Sequence, residues 1–525
     1  MTSHIDPGGE LDRGGVPAGG RLPAWLRAAL AALILLGLGL RVWYPGTTVF
    51  CDDQARACAL AEDVAAGHWQ SGGLVNSGGF RNLPGFVYLL AGVWRLWGDP
   101  LALVWFTAAV NVLAVVASFF LMRRWIGAAA AWWATAFLAT APWAIHYSRW
   151  IWAQDLLFPA ALCVWLFLWQ WVGRGRKWAA LGVVLSLAVL VHIHLVGVVA
   201  VLAAALLVVW CRPKLPLWPV AIGVAIAAAS VVPYLLEGQL GAPKGDRVGY
   251  QHFWRVVPSA AMSVTGLDWR LEFRGGYPAL ADSLGWRRWP YEAVMCLPVL
   301  LLAAGGVMGL RRLWRQRRAG RAARREPTAM VTALVVLIPL AFVVTAIRTS
   351  PTYVPMWYPL PFVLIGLAAV RLSGTAGRRR RWTAAVLIGV MCVQLAFFVE
   401  QLGYVRGRGG VPGSPLGRSY AAMCRDVAVL AGRVDAGEVL MLYEGPSSIQ
   451  GEPAAYLLRR ARWAGAAGGR AVVRLRWGGP CRADELPEGA DPPAGAYLVR
   501  PWRGPQQSEG RVPLRPPPAA AAGGP

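Results

Sequence analysis

The chain has 525 residues, of which 56% are hydrophobic and only 15% are charged, and its formal net charge is +25. This composition excludes an ordinary soluble globular protein and is typical of an integral membrane protein. The positive charge does not indicate a nucleic-acid-binding protein, because many basic residues lie in short loops between apolar runs and not on a soluble surface.

Apolar stretches long enough to cross a bilayer predict about eleven transmembrane helices. They lie at residues 24–44, 100–122, 126–145, 153–172, 178–191, 195–211, 216–236, 291–310, 328–347, 353–371 and 382–400. If the N-terminus is cytoplasmic, the inner loops are rich in Arg or Lys, as the positive-inside rule requires. We therefore expect an all-α polytopic membrane protein with a cytoplasmic N-terminus and an extracytoplasmic C-terminus.

One pair of stretches leaves the topology open. Residues 178–191 and 195–211 are short, and they form either two helices or one long tilted helix. A single helix there would invert the orientation of everything that follows.

The composition divides the chain into four parts. Residues 1–23 are rich in Gly, Pro and polar side chains and predict a cytoplasmic tail, followed by an uncleaved anchor. Residues 24–400 form the transmembrane domain, with external loops at 45–99 and 237–290; within the first loop, residues 83–98 are expected to lie along the interface. Alternating helical and strand-like patterns over 401–511 predict a small extracytoplasmic α/β domain. Residues 512–525 have too little to bury and are expected to be disordered.

Four cysteines fall on the predicted outer side, where oxidising conditions permit disulfides. Cys51 and Cys58 are about 10 Å apart if they lie on one helix, which is beyond disulfide reach. A bridge between Cys424 and Cys481 stays open. No CxxC pair or His/Cys cluster suggests a structural metal site.

Two adjacent acids, Asp52 and Asp53, open the first external loop directly after the first apolar run. A carboxylate near lipid is unfavourable unless it is solvated, paired or functional. The residues from Asp52 to Val64 have a helical composition, so one interpretation is that an acid caps this helix. The other interpretation is that one acid caps while its neighbour acts in catalysis.

The motifs around this acidic pair resemble the first external loop of the GT-C glycosyltransferases, in particular the aminoarabinose lipid A transferases and the protein O-mannosyltransferases. In those families an acidic pair leads an amphipathic helix that ends near Gly-x-Trp, here at Gly67. An aromatic segment with a proline follows, here from Phe80 to Tyr88. Three further stretches extend the resemblance over residues 24–400: Tyr147 to Asp155, Leu190 to His194, and Arg348 to Pro359.

The resemblance implies a GT-C-like fold and an inverting transfer of a sugar from a polyprenyl-phosphate donor to an acceptor hydroxyl. Asp52 matches the catalytic acidic position of the family and would be the general base. Asp53 would orient the acceptor or cap the helix. Asp155 would be a second carboxylate, or alternatively the N-cap of its own span.

The leaving lipid phosphate requires cations or strong hydrogen-bond donors. The candidate phosphate-binding residues are Arg56, Arg81, Arg149, His192, His194 and Arg348. Each arginine has an alternative role as an interfacial anchor. The aminoarabinose transferases tend to carry a lysine where Asn82 stands, so this phosphate contact is expected to pass to Arg81.

The expected partners are a polyprenyl-phosphate-linked sugar, an acceptor lipid, glycan or protein, and the bilayer, with no nucleic acid. We expect no required cofactor and no metal ligands, although a divalent cation stays open. A transporter or flippase for lipid-linked sugars is an alternative, but transporters place polar groups near the midplane and often show repeated halves. A non-catalytic membrane scaffold is a third alternative.

Overall fold

The computed structural model of the protein describes residues 22–76, 79–238, 277–318, 321–345, 347, 351–374, 377–411, 418–435, 438–444, 456–457, 473–476 and 496–501. These residues are mostly helical. The helices are α1 (Ala24–Val42), α2 (Asp52–Ala65), α3 (Gly85–Trp97), α4 (Pro100–Ile126), α5 (Ala128–Thr140), α6 (Pro142–His146), α7 (Leu157–Leu168), α8 (Ala179–Ile193), α9 (Gly197–Cys211), α10 (Leu217–Leu236), α11 (Tyr277–Leu284), α12 (Arg288–Arg318), α13 (Arg321–Arg324), α14 (Pro327–Thr345), α15 (Leu360–Ser373), α16 (Arg378–Arg408) and α17 (Tyr420–Asp435).

Seven helical regions within the described part of the chain are long and apolar enough to cross a membrane. They are Ala24–Val42, Pro100–Ile126, Ala153–Gly173, Leu217–Leu236, Leu280–Arg315, Pro327–Thr345 and Arg378–Arg408. The prediction of a helical multi-pass membrane protein is therefore confirmed. The other four predicted spans correspond to the shorter apolar helices α5, α8, α9 and α15, so the number eleven stays a prediction.

The stretch from residue 178 to 211 forms two helices, because the chain turns back between α8 and α9. A Cβ atom on Gly197 would lie only 2.9 Å from the carbonyl carbon of Leu190. In a continuous helix a separation of seven residues corresponds to a rise of about 10 Å. The two helices also pack against different neighbours: α8 packs against α7 and α10, and α9 packs against α14.

Helices α1 and α5 approach each other closely at a glycine. A Cβ atom on Gly37 would lie 2.2 Å from the carbonyl oxygen of Ala139, so only glycine fits there. The guanidinium of Arg41, one turn further along α1, donates to Gly37 O at 2.7 Å and to Ala139 O at 2.8 Å. It also donates to Leu138 O at 3.2 Å. Arg41 thus satisfies carbonyls at the C-terminal end of α5, which have no partner within that helix.

Replacing Gly37 with Ala is expected to lower the thermal unfolding midpoint, because the new methyl group forces α1 away from α5 and breaks the Arg41 hydrogen bonds. The matched control is Gly39→Ala, since a Cβ atom on Gly39 meets no atom within 4 Å. Thermal unfolding in detergent, followed by tryptophan fluorescence, measures both. Equal midpoints for the two variants would contradict the close approach.

Beyond α16 the described residues include a three-stranded sheet of β1 (Glu438–Glu444), β2 (Val473–Arg476) and β3 (Ala496–Pro501) in the order β2-β1-β3. Strand β1 is parallel to β2 and antiparallel to β3, and α17 contacts β1. The remainder of residues 401–511 lies largely outside the described residues, as do residues 1–21 and the tail at 512–525. The α/β domain and the four-part division of the chain therefore stay predictions.

Candidate active site

Helix α2 begins at Asp52, and its N-cap is Cys51. The side-chain oxygen of Gln54 accepts hydrogen bonds from the Cys51 backbone N–H at 2.9 Å and from the Cys51 thiol at 2.8 Å. Burial, followed by the nearby charge of Asp53, raises the pKa of the Cys51 thiol, so the thiol stays protonated and can donate. This pair forms a capping box in which cysteine takes the usual place of serine or threonine. The cap position is therefore filled without Asp52 or Asp53.

The two acids occupy the first turn of α2, at the positive end of the helix dipole. Both are partly exposed, and Asp52 Oδ2 lies 3.8 Å from Nη2 of Arg56, one turn along the helix. Arg56 is half exposed, so this ion pair contributes little to stability. The arrangement leaves both carboxylates partly exposed at the start of α2, with Asp52 Oδ1 buried and about a quarter of the Asp52 side chain exposed.

The stretch from Tyr147 to Asp155 packs beneath this acidic pair. Thr48 Oγ1 donates to the backbone oxygen of Arg149 at 2.9 Å. Val49 and Cys51 form a small buried cluster with Trp150, and Trp152 packs against it. Asp155 is fully buried, and its Oδ2 accepts from the Trp150 N–H at 2.9 Å. Asp155 therefore shapes the turn that supports the acidic pair.

The guanidinium of Arg149 is buried against the end of α1, with 3% of the residue exposed. It donates to Leu40 O, to Tyr44 O at 3.0 Å and to Thr47 Oγ1 at 2.9 Å. Burial lowers the pKa of Arg149 to about 10, so it remains charged at neutral pH. Arg41 and Arg149 are thus matched in role, because Arg41 binds carbonyls that end α5 and Arg149 binds carbonyls that end α1.

The loop that carries Arg81 is folded against the turn between α8 and α9. Asn82 is buried, and its amide accepts from Leu195 N–H at 3.1 Å and donates to Leu74 O at 3.0 Å. The Arg81 side chain is exposed, while its backbone oxygen accepts from the Tyr234 hydroxyl at 2.7 Å. Asn82 thus has a structural role, and its neighbour Arg81 is an exposed cation. The hydrogen bond from Leu195 to Asn82 brings the Phe80–Tyr88 segment next to the end of the Leu190–His194 stretch, two of the stretches on which the resemblance rests.

The two histidines differ in their surroundings. His192 Nε2 lies 2.9 Å from Ser230 Oγ on α10. His194 is buried; its Nδ1 accepts from the Val196 N–H at 3.1 Å, and its ring lies 5.2 Å from that of Tyr353. Arg348, the remaining predicted phosphate-binding residue, lies outside the described residues.

Burial lowers the pKa of His194 from 6.5 to about 4, so the folded protein holds it neutral at pH 7. The unfolded chain binds this proton below about pH 6.5, and the stability contributed by neutral His194 is therefore lost as the pH falls from that value toward 4. The slope is at most about 1.4 kcal/mol per pH unit. We expect His194→Asn, which retains an acceptor for Val196, to reduce this slope. Urea unfolding between pH 7.5 and 5 measures it, and identical slopes would contradict the prediction.

Within the described part of the chain, no group of three or more His, Cys, Asp or Glu side chains is placed to hold a metal ion. Cys51 is the N-cap that precedes α2 and is hydrogen-bonded to Gln54, and Cys58 lies in the middle of α2. Cys481 lies outside the described residues, so its bridge to Cys424 stays a prediction.

In sequence, this chain matches no protein-family model and no curated protein. In structure, it is similar to ArnT from Cupriavidus metallidurans, crystallised with undecaprenyl phosphate, with a TM-score of 0.50 and 15% identity over 83% of this chain and 84% of that chain. It also aligns with the Archaeoglobus fulgidus oligosaccharyltransferase, crystallised with a tethered acceptor peptide, with a TM-score of 0.47 and 13% identity over 83% of this chain and 63% of that chain.

The similarity to ArnT shows that this chain shares the fold of ArnT, and the predicted resemblance is confirmed at the level of the fold. At 15% identity the similarity defines the arrangement of the helices and not the reaction.

Proposed function

We propose that the protein is an integral membrane glycosyltransferase that moves a sugar from a polyprenyl-phosphate donor to an acceptor hydroxyl at the outer face of the inner membrane. The observation that carries this proposal is the pair of partly exposed carboxylates on the first turn of α2, beside a cap that Cys51 already fills, in a chain with the GT-C fold. The undecaprenyl phosphate in the ArnT crystal supports the class of donor.

Asp52 acts as the general base in this proposal. Its carboxylate takes the proton from the acceptor hydroxyl while the hydroxyl oxygen attacks the anomeric carbon, which requires an approach to about 3 Å. The bond between the anomeric carbon and the phosphate oxygen breaks, the electron pair leaves with polyprenyl phosphate, and the configuration inverts. Asp53 orients the acceptor. Asp155 contributes as the carboxylate that holds the turn at Trp150 beneath the acidic pair.

In this proposal, cationic side chains stabilise the leaving phosphate. Arg56 and Arg81 suit this role best, because both are exposed. Arg149 supports the site by holding the end of α1, and His192 and His194 belong to the turn on which the Arg81 loop rests. Arg348 is retained as a further candidate. We propose no metal requirement, because arginine alone can neutralise a phosphate monoester; a divalent cation stays open.

The proposed topology has eleven spans. The tail at 1–23 is cytoplasmic, residues 24–400 form the catalytic domain, and residues 401–511 form an extracytoplasmic α/β domain followed by a disordered tail at 512–525. The break between α8 and α9 supports this topology, because two helices there retain the alternation of basic and non-basic loops.

The reaction is tested with purified protein in nanodiscs that contain a polyprenyl-phosphate sugar. The expected result is release of free polyprenyl phosphate when a membrane extract supplies the acceptor, detected by mass spectrometry. Movement of intact donor between leaflets without release would instead indicate a flippase. If several donor sugars give neither release of polyprenyl phosphate nor movement of the donor, the result would favour the non-catalytic scaffold.

Replacing Arg81 with Gln is expected to raise the KM for the donor about 10-fold to 100-fold, because a hydrogen bond to a charged group contributes about 1.5–3 kcal/mol. The thermal midpoint should not change, because the side chain is exposed. The control is Arg27→Gln, an exposed arginine near the opposite end of α1. A donor KM equal to that of the control would exclude Arg81 from the phosphate site.

A further inference from the structure

The three residues that precede the N-cap of α2 pair with a segment some 370 residues further along the chain. Val49 and Ser419 are opposed in an antiparallel bridge. The Phe50 N–H donates to Arg418 O at 3.3 Å, and the Tyr420 N–H donates to Thr48 O at 2.8 Å. Thr48–Phe50 and Arg418–Tyr420 therefore form a minimal β-ladder, which we call the loop clamp.

Side chains reinforce the loop clamp. Phe50 is 1% exposed and packs against Tyr420 in an edge-to-face arrangement, with the ring centroids 5.1 Å apart. The ring of Tyr456, also buried, has its centroid 6.2 Å from that of Phe50. A Cβ atom on Gly46 would lie 3.0 Å from the Ala421 methyl group, so the chain before the clamp also packs on the start of α17.

The partner segment is itself held firmly. The Ser419 N–H donates to Gly409 O at 3.0 Å, and Gly410 bridges with Arg418 directly after α16 ends. Arg418 makes a two-pronged ion pair with Asp426 on α17, with hydrogen bonds of 2.8 and 2.6 Å. The clamp thus connects the acidic pair to the end of α16 and to α17, while Thr48 Oγ1 anchors the other side to Arg149 O.

We propose that Arg418–Tyr420 is a positioning element for the acidic pair, so that the chain beyond the membrane domain sets the place of the general base. The inference rests on the proposed function for Asp52. Only Cys51 separates the clamp from Asp52, and a displacement of about 1 Å at a catalytic group can cost about 100-fold in rate. The clamp determines the direction in which the chain enters α2, and hence where the first-turn carboxylates lie.

The test compares Tyr420→Pro with Tyr420→Ala. Both variants lose the ring, but only proline removes the N–H that donates to Thr48 O and places a ring carbon against that oxygen. Proline is tolerated at the first position of a helix, and the extended Ser419 before it is compatible, so α17 is retained. We expect kcat for polyprenyl phosphate release to fall at least 10-fold further in Tyr420→Pro than in Tyr420→Ala, with the donor KM changed less than twofold.

A second readout does not depend on activity. Cys51 is buried, so its alkylation by iodoacetamide, followed by peptide mass spectrometry, reports displacement of the loop. We expect alkylation at least 10-fold faster in Tyr420→Pro than in Tyr420→Ala. Equal rates of alkylation in the two variants would overturn the inference, and so would equal kcat values. An inactive wild type with the expected alkylation difference would reject the glycosyltransferase proposal and, with it, the catalytic meaning of the clamp.

The pairing itself is tested by disulfide trapping. Val49 and Ser419 form a non-hydrogen-bonded pair, in which the Cα atoms are about 4.5 Å apart, within disulfide reach. Val49→Cys with Ser419→Cys is expected to crosslink under mild oxidation in the full-length protein. Val49→Cys with Ala428→Cys, about two helical turns into α17, is expected not to crosslink. Failure of the first pair, or equal crosslinking of both pairs, would overturn the clamp.

Discussion

Replacing Asp52 with Asn is expected to reduce sugar transfer by about 100-fold to 10,000-fold, the contribution typical of a general base. The amide has the shape of the carboxylate but cannot accept the acceptor's proton. The fold should persist, because Cys51 and Gln54 cap α2 without help from Asp52. The lost charge in the first turn and the lost pair with Arg56 together cost on the order of 1 kcal/mol. Single-turnover release of polyprenyl phosphate measures the chemical step, and thermal unfolding checks the fold.

Matched variants locate the base. Asp63→Asn removes an exposed acid at the other end of α2 and is expected to leave turnover within twofold. Asp53→Asn is expected to raise the acceptor KM more than it lowers kcat, because that residue orients and does not abstract a proton. Wild-type turnover in Asp52→Asn would move the base to Asp53 or Asp155. Wild-type turnover in each of Asp52→Asn, Asp53→Asn and Asp155→Asn would reject the enzyme proposal.

Replacing Arg149 with Met is expected to abolish most of the folded yield. The guanidinium donates to Leu40 O in a buried site and to Tyr44 O and Thr47 Oγ1, which are part-buried and also hydrogen-bonded to each other. A hydrogen bond from a charged group contributes about 1.5–3 kcal/mol. The sum is a large part of the 5–15 kcal/mol that stabilises a typical domain, an order-of-magnitude comparison. Arg149→Lys should recover part of the yield, because an ammonium group keeps the charge but lacks the forked geometry.

Size-exclusion chromatography and the thermal midpoint measure this loss. Arg124→Met, which changes an exposed arginine at the end of α4, is the control and should behave as the wild type. A fully folded Arg149→Met protein with a raised donor KM would show that Arg149 binds the phosphate directly. That result would assign to Arg149 the phosphate-binding role that the family resemblance implied.

The membrane class, the positions of the long spans and the start of α2 at the acidic pair follow from local patterns, so they were predictable. An apolar run of 20 residues has few alternatives in a bilayer, and its signal is contained in the run itself. The break between α8 and α9 is different. Both sequences read as short apolar helices, and only the close approach of Gly197 to Leu190 shows that the chain reverses there.

The sequence named candidate residues for the site but gave none of their contacts. Its local capping signal was missed because Cys51-x-x-Gln54 departs from the usual Ser/Thr-x-x-Glu/Gln pattern. The cap prediction for Asp155 named a local role; the structure shows a hydrogen bond backward to Trp150. Arginine side chains were interchangeable in the sequence, since a guanidinium suits a phosphate, a lipid headgroup or a helix end equally well.

By itself, the amino-acid sequence determined that the protein crosses a membrane repeatedly and that two acids begin its first long loop, because hydropathy and helix-forming patterns act over neighbouring residues. Only the tertiary structure decided that Arg149 holds the end of α1, that Arg81 is exposed, and that Arg418–Tyr420 clamps the chain beside Asp52. The contacts of Arg149 and of the clamp join residues about 100 to 370 positions apart in the chain. Burial decides which arginines are already hydrogen-bonded to protein groups, and burial is a property of the packed molecule alone.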